Sequence, residues 1–246
     1  NHWTPISFRN NTEEKELYQK FQKIICVSDI VKKNLDTLYN THNKTSIIYN
    51  PIDRNHIINL SKINTSAFPK SPSRKRIITL GSLIEIKGYD RLLRIAKILK
   101  NIHHINFELL ILGEGKLRKT FENFIKLNGL CNHVYLVGYI NNPYPYILNS
   151  DIYVCSSYGE GYNTAITESL ILGKAIVSTN CSGVKEQLGD NCEYGICTPN
   201  TEEGLLEGII KMLDYNTQKY YENRARERGK IFNLENSMNE IYKIIN

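Results

Sequence analysis

The 246-residue sequence lacks the motifs of several common enzyme classes. No G-x-G-x-x-G segment follows a predicted strand, which argues against a dinucleotide-dependent oxidoreductase. There is no G-x-S-x-G turn to carry a hydrolase nucleophile and no G-x-x-x-x-G-K-[ST] phosphate loop. There is also no D-x-D pair of carboxylates to hold a metal-bound diphosphate. We therefore expect neither these chemistries nor a bound metal or cofactor.

Long apolar runs and paired cysteine motifs are absent as well. No apolar stretch approaches the ~20 residues that span a bilayer. The six cysteines form no C-x-x-C pair and stand at no metal-ligand spacing from the histidines. Cys26 and Cys155 lie in apolar runs and are expected in the core. We expect a reduced, cytoplasmic protein. The sequence shows no signal peptide and does not begin with Met, so we expect upstream sequence to be missing.

Charge is concentrated in one part of the sequence. The net charge is +6, and the stretch from Lys70 to Lys126 holds 13 basic and five acidic residues, a balance of +8. Such a patch favours anionic partners, among them sugar nucleotides, phospholipid headgroups and nucleic acid. A solvated helix face explains most of these lysines equally well.

Apolar segments of strand and helix type alternate along the chain. Predicted strands cover 23–28, 45–49, 75–80, 107–112, 134–137, 152–155, 175–179 and 194–196. Predicted helices cover 29–39, 89–100, 116–127, 144–150, 165–172, 185–188, 202–213, 218–230 and 234–245. This alternation predicts an α/β fold with a doubly wound parallel sheet and a helical C-terminus. We divide the chain into the tail of an earlier α/β unit (1–50), a linker (51–73), the main α/β domain (74–231) and a C-terminal helix (232–246).

The segment Tyr158–Glu168 concentrates the residues that can carry chemistry. It follows the predicted strand 152–155, and Gly159 and Gly161 are expected to permit a sharp turn there. Thr164 is predicted to cap the next helix and leave its first amides free for an anion. Glu160 and Glu168 are expected to face the crevice at the carboxyl edge of the sheet, where they could accept hydroxyl donors. The ordinary alternative is two solvated carboxylates.

Two other strand ends point to the same edge. After the strand 75–80, the turn Gly81–Gly88 carries Lys87, which could hold a diphosphate together with backbone amides. Glycines also follow the next two strands, at Gly113 and at Gly138, with Tyr139 directly after the latter. Taken singly, each of these is no more than an ordinary βα turn with a surface lysine or tyrosine.

Together these segments resemble the C-terminal nucleotide-sugar domain of GT-B glycosyltransferases. The closer match is the retaining family called glycosyl transferases group 1, whose E-x7-E motif corresponds to Glu160 and Glu168. The resemblance covers roughly 23–214 and also includes the strand that follows Gly173-Lys174. It implies that Glu168 binds ribose hydroxyls and that Glu160 binds the transferred sugar. It implies that Lys87 pairs with the diphosphate.

The resemblance also assigns the surrounding residues. The remaining implied donor-binding positions are Gly81, Ser82, Gly113, Gly138, Tyr139, Gly161, Tyr162, Asn163, Thr164 and Ala165. Of these, Gly138 and Tyr139 would lie beside the base, and the backbone amides of 162–165 would line the sugar and diphosphate. The family often has Arg where this chain has Ser82, which leaves Lys87 as the single cation. The family also uses a histidine from its first domain, and His2 is the only early candidate.

The resemblance implies a retaining, metal-independent glycosyltransferase in cell-surface polysaccharide synthesis. Its donor would be a UDP-sugar in preference to a GDP-sugar, and its acceptor a glycan or a lipid-linked glycan. The implied location is the cytoplasm, with peripheral contact at the inner membrane face, and no nucleic-acid partner is expected. Because most of the first domain is missing from 1–50, the isolated chain is expected to turn over slowly. Two alternatives remain: a UDP-sugar epimerase of the same fold and a basic nucleic-acid-binding module.

Overall fold

The computed structural model describes residues 12–63 and 68–245. His2 lies outside these residues. The strands are β1 (Ile24–Cys26), β2 (Thr45–Ile47), β3 (Lys75–Leu80), β4 (Phe107–Leu112), β5 (Val134–Gly138), β6 (Ile152–Cys155), β7 (Ala175–Thr179) and β8 (Ile196–Thr198). The helices are α1 (Thr12–Lys20), α2 (Asp29–Tyr39), α3 (Arg54–Ser61), α4 (Tyr89–Asn101), α5 (Arg118–Leu127), α6 (Tyr144–Leu148), α7 (Thr164–Ile171), α8 (Val184–Leu188), α9 (Glu202–Leu213), α10 (Tyr215–Gly229) and α11 (Leu234–Ile245). One turn of 3₁₀ helix covers Glu85–Lys87.

Six strands form one parallel sheet in the order β5-β4-β3-β6-β7-β8. From β3 the chain builds outward through β4 and β5, then returns to add β6, β7 and β8 on the other side. The strand order therefore reverses between β3 and β6, and open parallel sheets bind ligands beyond the carboxyl ends at such a point. The pairing of β3 with β6 covers two residue pairs, Ile77 with Ile152 and Ile78 with Tyr153. Both strands continue past these pairs toward their carboxyl ends. The loops that follow β3 and β6 form the two sides of a crevice.

The core lies on both faces of this sheet because its strands are apolar on both sides. All six residues of β4 are buried. Ile77 and Leu109 pack into one cluster with α4, α5 and α9, while Ile78 and Leu110 pack into a second cluster with α3, α6, α7 and α10. Helices thus cover the sheet on two sides, as the run of apolar strands predicts. The predicted α/β class and doubly wound parallel sheet are confirmed.

The N-terminal elements form a separate small unit. β1 and β2 pair in parallel as a two-stranded sheet, and α2 packs on them through Val31, Leu35 and Tyr39. The unit meets the larger domain where the carboxylate of Glu186 accepts from the Asp29 amide, at 3.1 and 3.0 Å. The first backbone amide of α2 is therefore bound by a side chain of the main domain.

Three details differ from the sequence predictions. The segment 51–73, interpreted as a linker, contains α3, because Asp53 caps its first turn and Ile57 packs into the core beside α6 and α7. The last strand lies at Ile196–Thr198 and not at 194–196. Cys192 and Cys197 form a disulfide, which the expectation of a reduced protein did not include. The domain boundaries themselves stay a prediction.

The basic stretch is less exposed than its count of charges implies. Arg76 and Arg91 are each 1 % exposed. Nε of Arg76 donates to Glu108 on the neighbouring strand at 2.7 Å. Arg91, on α4, donates to the carbonyls of Ser156 and Ser157. Both guanidinium charges are therefore used inside the fold, because buried charges need such partners.

Candidate functional site

Two adjoining cavities occupy the crevice between β3 and β6. The inner cavity measures about 240 Å³ and is lined by Leu80, Gly81, Lys87, Glu160, Tyr162, Asn163, Thr164, Ala165 and Glu168. The outer cavity measures about 450 Å³ and is lined by Leu80, Gly81, Ser82, Leu112, Gly113, Glu114, Tyr139, Ile140, Asn141, Pro143 and Tyr144. Both cavities share Leu80 and Gly81. Eleven of the thirteen residues predicted from the sequence therefore line one continuous crevice.

The remaining two predicted residues, Gly138 and Gly161, are not among the residues that line the two cavities. The carbonyl of Gly138 accepts from the Gly113 amide at 2.8 Å, which ties the ends of β4 and β5 together. A Cβ at Gly161 would point toward the side chain of Val27, at 3.6 Å, on the N-terminal unit.

Glu160 is held by three donors within the inner cavity. Its Oε1 accepts from Nζ of Lys87 at 2.8 Å, from Oγ of Ser157 at 2.6 Å and from Nδ2 of Asn163 at 3.1 Å. Lys87 also reaches Oε2, at 3.1 Å. The sequence predicted that Lys87 would face a diphosphate, and in the structure its partner is Glu160. Charge-assisted hydrogen bonds of this kind keep the carboxylate oriented before any ligand arrives.

The cap of α7 is Asn163 and not Thr164, as the sequence suggested. Oδ1 of Asn163 accepts from the amides of Ala165, at 3.0 Å, and Ile166, at 3.4 Å. The Ala165 amide, predicted to be free for a ligand, is therefore already used. Within the described part of the chain, the amides of Tyr162 and Thr164 donate no hydrogen bond to protein atoms. These two amides remain as donors at the positive end of the helix dipole.

The glycines that shape the crevice are not the two that the sequence suggested. Neither Gly159 nor Gly161 adopts a positive φ. Gly113 has φ +144°, and a Cβ there would lie 2.0 Å from the carbonyl oxygen of Gly81. Gly88 has φ +63°, and a Cβ there would lie 2.1 Å from the carbonyl oxygen of Ser156. These positions need glycine because neighbouring loop backbones approach too closely for any side chain.

Glu168 sits in the first turns of α7 and lines the inner cavity together with Lys87. Burial raises the pKa of its carboxyl to about 7, and a hydrogen bond from Tyr144 opposes that rise. The Tyr144 hydroxyl donates to Oε1 at 3.4 Å, and burial together with Glu168 raises the pKa of Tyr144 to about 12. Near neutral pH this carboxyl is thus close to its midpoint of ionisation, which is a property of many functional sites.

Two residues of the candidate site were missed by reasoning from the sequence. Ser157 is the second residue after β6 and so lies near a strand end, a position that could have marked it. Tyr144 lies on a different helix from Glu168, 24 residues earlier in the chain, and no local pattern connects the two. Their contact arises from the way α6 and α7 pack over the sheet.

A larger cavity of about 780 Å³ lies on the far side of the loop, lined by Tyr158, Gly159, Lys185, Asp190 and other polar residues. It holds neither the Lys87–Glu160 pair nor the buried carboxyl of Glu168, so we assign the site to the crevice at the point of reversed strand order. Across 12–63 and 68–245, no three His, Cys, Asp or Glu side chains are arranged to hold a metal ion. No helix in those ranges has both the length and the apolar character for crossing a membrane.

The strand order and the crevice at its reversal define the class: a Rossmann-like α/β domain that binds its ligand at the carboxyl edge. The sequence profile of the family described as glycosyl transferases group 1 matches residues 62–228. The chain therefore belongs to this family, as the E-x7-E resemblance predicted.

Individual relatives agree with this assignment. The chain is 33 % identical over 224 residues to the N-acetylgalactosamine-N,N'-diacetylbacillosaminyl-diphospho-undecaprenol 4-alpha-N-acetylgalactosaminyltransferase of Campylobacter jejuni, covering 88 % of this chain and 58 % of that protein. A glycosyltransferase from Rickettsia africae superposes with a TM-score of 0.79 at 21 % identity, covering 95 % of this chain and 66 % of the other. HepE from Anabaena, solved with UDP-glucose, gives a TM-score of 0.78 at 17 % identity, with coverage of 94 % and 65 %. The two structures support the fold, the C-terminal half of GT-B, and the chain spans somewhat over half the length of the curated relative.

Proposed function

We propose that this chain is the nucleotide-sugar-binding part of a retaining, metal-independent glycosyltransferase. Its donor is a UDP-sugar, and its acceptor is a glycan or a lipid-linked glycan of a cell-surface polysaccharide. The observation that carries the proposal is that Lys87, Glu160 and Glu168 line a single cavity at the reversal of strand order. One cation and two hydrogen-bond-accepting carboxylates match a ligand that combines a diphosphate with two hydroxylated rings.

The geometry suggests how each group would act on the donor. In the outer cavity, the 75 % exposed ring of Tyr139 offers a stacking surface for the base. Glu168 would accept the ribose hydroxyls at the junction of the two cavities. Glu160 would accept hydroxyls of the transferred sugar, and Lys87 with the amides of Tyr162 and Thr164 would neutralise the leaving diphosphate. Fixed donors aimed at a developing charge are the main source of catalysis in such a step.

No protein nucleophile is assigned, because the family resemblance implies a retaining transfer that proceeds without a glycosyl-enzyme. The acceptor hydroxyl would attack on the face from which the diphosphate leaves, and the configuration at the anomeric carbon would be retained. The named activity of the Campylobacter relative, transfer to a diphospho-undecaprenol glycan, supports a lipid-linked acceptor. Such an acceptor would bring the protein to a membrane surface, and we propose the inner face. HepE bound to UDP-glucose supports a UDP-sugar.

Isothermal titration calorimetry with UDP and GDP tests the proposal. We expect UDP to bind more tightly than GDP, and Glu168→Ala and Lys87→Ala each to weaken UDP binding about tenfold or more, since each removes a charged hydrogen-bond partner. Glu122→Ala, which removes an exposed carboxylate of α5, serves as the matched control and should leave binding unchanged. Absence of binding by both nucleotides, or equal binding by the Glu168→Ala variant, would contradict the proposal. Product analysis with the full-length enzyme separates transfer from isomerisation of the donor, and we expect the isolated chain to turn over slowly.

A further inference from the structure

Tyr144 lies at the junction of the inner and outer cavities. It is the first residue of α6, after the loop that follows β5. Its ring lines the outer cavity, and its hydroxyl reaches Oε1 of Glu168, which lines the inner cavity. The E-x7-E motif gives this tyrosine no role. A side chain that lines one cavity and bonds to a residue of the other is placed to affect both halves of a bound nucleotide.

The backbone that carries Tyr144 is rigid. Pro143 precedes it and Pro145 follows it, and each proline ring restricts its own backbone rotation. The Tyr144 amide donates to Oδ1 of Asn142 at 3.4 Å, and Nδ2 of Asn142 donates to the carbonyl of Leu60, at the end of α3, at 3.0 Å. The hydroxyl is therefore presented to Glu168 from a fixed frame and not from a free loop.

The surroundings of Glu168 leave Tyr144 as its principal polar partner. Burial favours the neutral carboxyl, and the tyrosine hydrogen bond favours the ionised form. Burial raises the pKa of Tyr153 on β6, and the charge of Glu168 adds to that rise. Lys87 shares the cavity, but its ammonium is paired with Glu160. In the described residues, no charged side chain of α3, β7 or α10 acts on the pKa of Glu168.

We propose that Tyr144 is a positioning residue that orients Glu168 and favours its ionised, ribose-accepting form. The inference rests on the proposed function, because it concerns the carboxylate that would bind the ribose. By donating to Oε1, the hydroxyl stabilises the carboxylate and leaves Oε2 to accept from the ribose. A protonated Glu168 would offer a donor where the ribose hydroxyls also donate, and binding would be weaker.

The test is Tyr144→Phe, which keeps the ring and removes only the hydroxyl. UDP affinity is measured by calorimetry from pH 6 to pH 9 in the wild-type chain and in the variant. In the wild type we expect affinity to rise with pH and to level off above the Glu168 pKa of about 7. In the variant the rise in UDP affinity should move to higher pH, because the pKa of Glu168 should be higher. If that pKa increases by about one unit, UDP affinity at pH 7 should fall about fivefold. At pH 9 the two proteins should bind nearly alike.

Tyr135→Phe is the matched control, since its hydroxyl donates to the carbonyl of Asn132 and touches no carboxylate. Its pH profile should match the wild type. Equal profiles for Tyr144→Phe and the wild type would overturn the proposal while leaving the proposed function intact. The Glu168 carboxyl can also be titrated without nucleotide, by carbon NMR of labelled protein. An unchanged titration midpoint in Tyr144→Phe would overturn the inference even for a protein that failed to bind UDP.

Discussion

Replacing Glu168 by Gln should make the unliganded protein more stable at alkaline pH. The folded pKa of about 7 is raised from the ordinary value of 4.5 by burial, so the folded state keeps a proton that the unfolded state has lost. The stability of the wild type therefore falls as the pH rises from about 4.5 to 7 and is level above that range. Glu168→Gln keeps the shape of the side chain and removes this penalty.

The magnitude follows from the two pKa values. Between pH 5 and pH 8, ionisation of Glu168 costs the wild type an additional ~2.5 kcal/mol that the Gln variant does not bear. Urea unfolding at the two pH values measures this difference directly, and thermal unfolding should show the variant gaining about 5–10 °C relative to the wild type between pH 5 and pH 8. Glu122→Gln, on the exposed face of α5, controls for the general loss of a charge.

A stability difference between variant and wild type that is the same at pH 5 and pH 8 would refute the reasoning, because it would mean that Glu168 is not desolvated in the folded state. The predicted gain in stability comes together with a loss of UDP binding. That combination is the expected signature of a residue kept for binding at the expense of stability.

Two further predictions concern the walls of the crevice. Gly113→Ala should destabilise the protein by more than ~2 kcal/mol and reduce UDP affinity, because its Cβ would lie 2.0 Å from the Gly81 carbonyl oxygen. The control is Gly161→Ala, whose Cβ has ordinary contacts at 3.6 Å. Equal stability of the two variants in urea unfolding would contradict this prediction. Asn163→Ala should lower the free energy of unfolding by about 1–2 kcal/mol, because it removes the cap of α7. It should also weaken binding of a UDP-sugar more than binding of UDP, since Glu160 loses a donor. Calorimetry with both ligands checks this, and an equal effect on both would count against the role of Glu160.

The sequence was sufficient to predict the fold and to predict that most of the candidate residues meet at one edge of the sheet. Buried parallel strands have strong local patterns, and the ends of parallel strands necessarily meet at one edge of the sheet. Lys87 follows β3 and Glu160 follows β6, so topology alone brings them together once the strand order is known. This explains why most of the predicted residues line one crevice.

The contacts between side chains from distant elements could not be predicted. The bond from Tyr144 to Glu168 depends on the packing of α6 against α7, and the burial of Arg91 depends on the path of the loop after β6. Arg91 also shows why charge counts mislead: a helix pattern cannot reveal that a guanidinium has carbonyl partners. The alternative of a nucleic-acid-binding module loses support for this reason, since two of the basic side chains in 70–126 are buried and bonded internally.

The helix cap was predicted one residue too late for a related reason. Asn163 and Thr164 are both good capping residues, and the choice between them is made by tertiary contacts. Nδ2 of Asn163 also bonds to Glu160, at 3.1 Å, and to Sγ of Cys155, at 3.3 Å. These additional bonds fix the asparagine at the start of α7.

The pairing of Lys87 with Glu160 sets opposite charges side by side in the inner cavity. An anion such as inorganic phosphate would compete with Glu160 for Lys87 and would leave the glutamate with its bonds from Ser157 and Asn163. A neutral monosaccharide could donate hydroxyls to Glu160, but it would bring no charge for the lysine. On the proposed function, a nucleotide-sugar supplies an anion for Lys87 and hydroxyl groups for Glu160 at once, so we expect the inner cavity to favour the whole donor over UDP, phosphate or the free sugar.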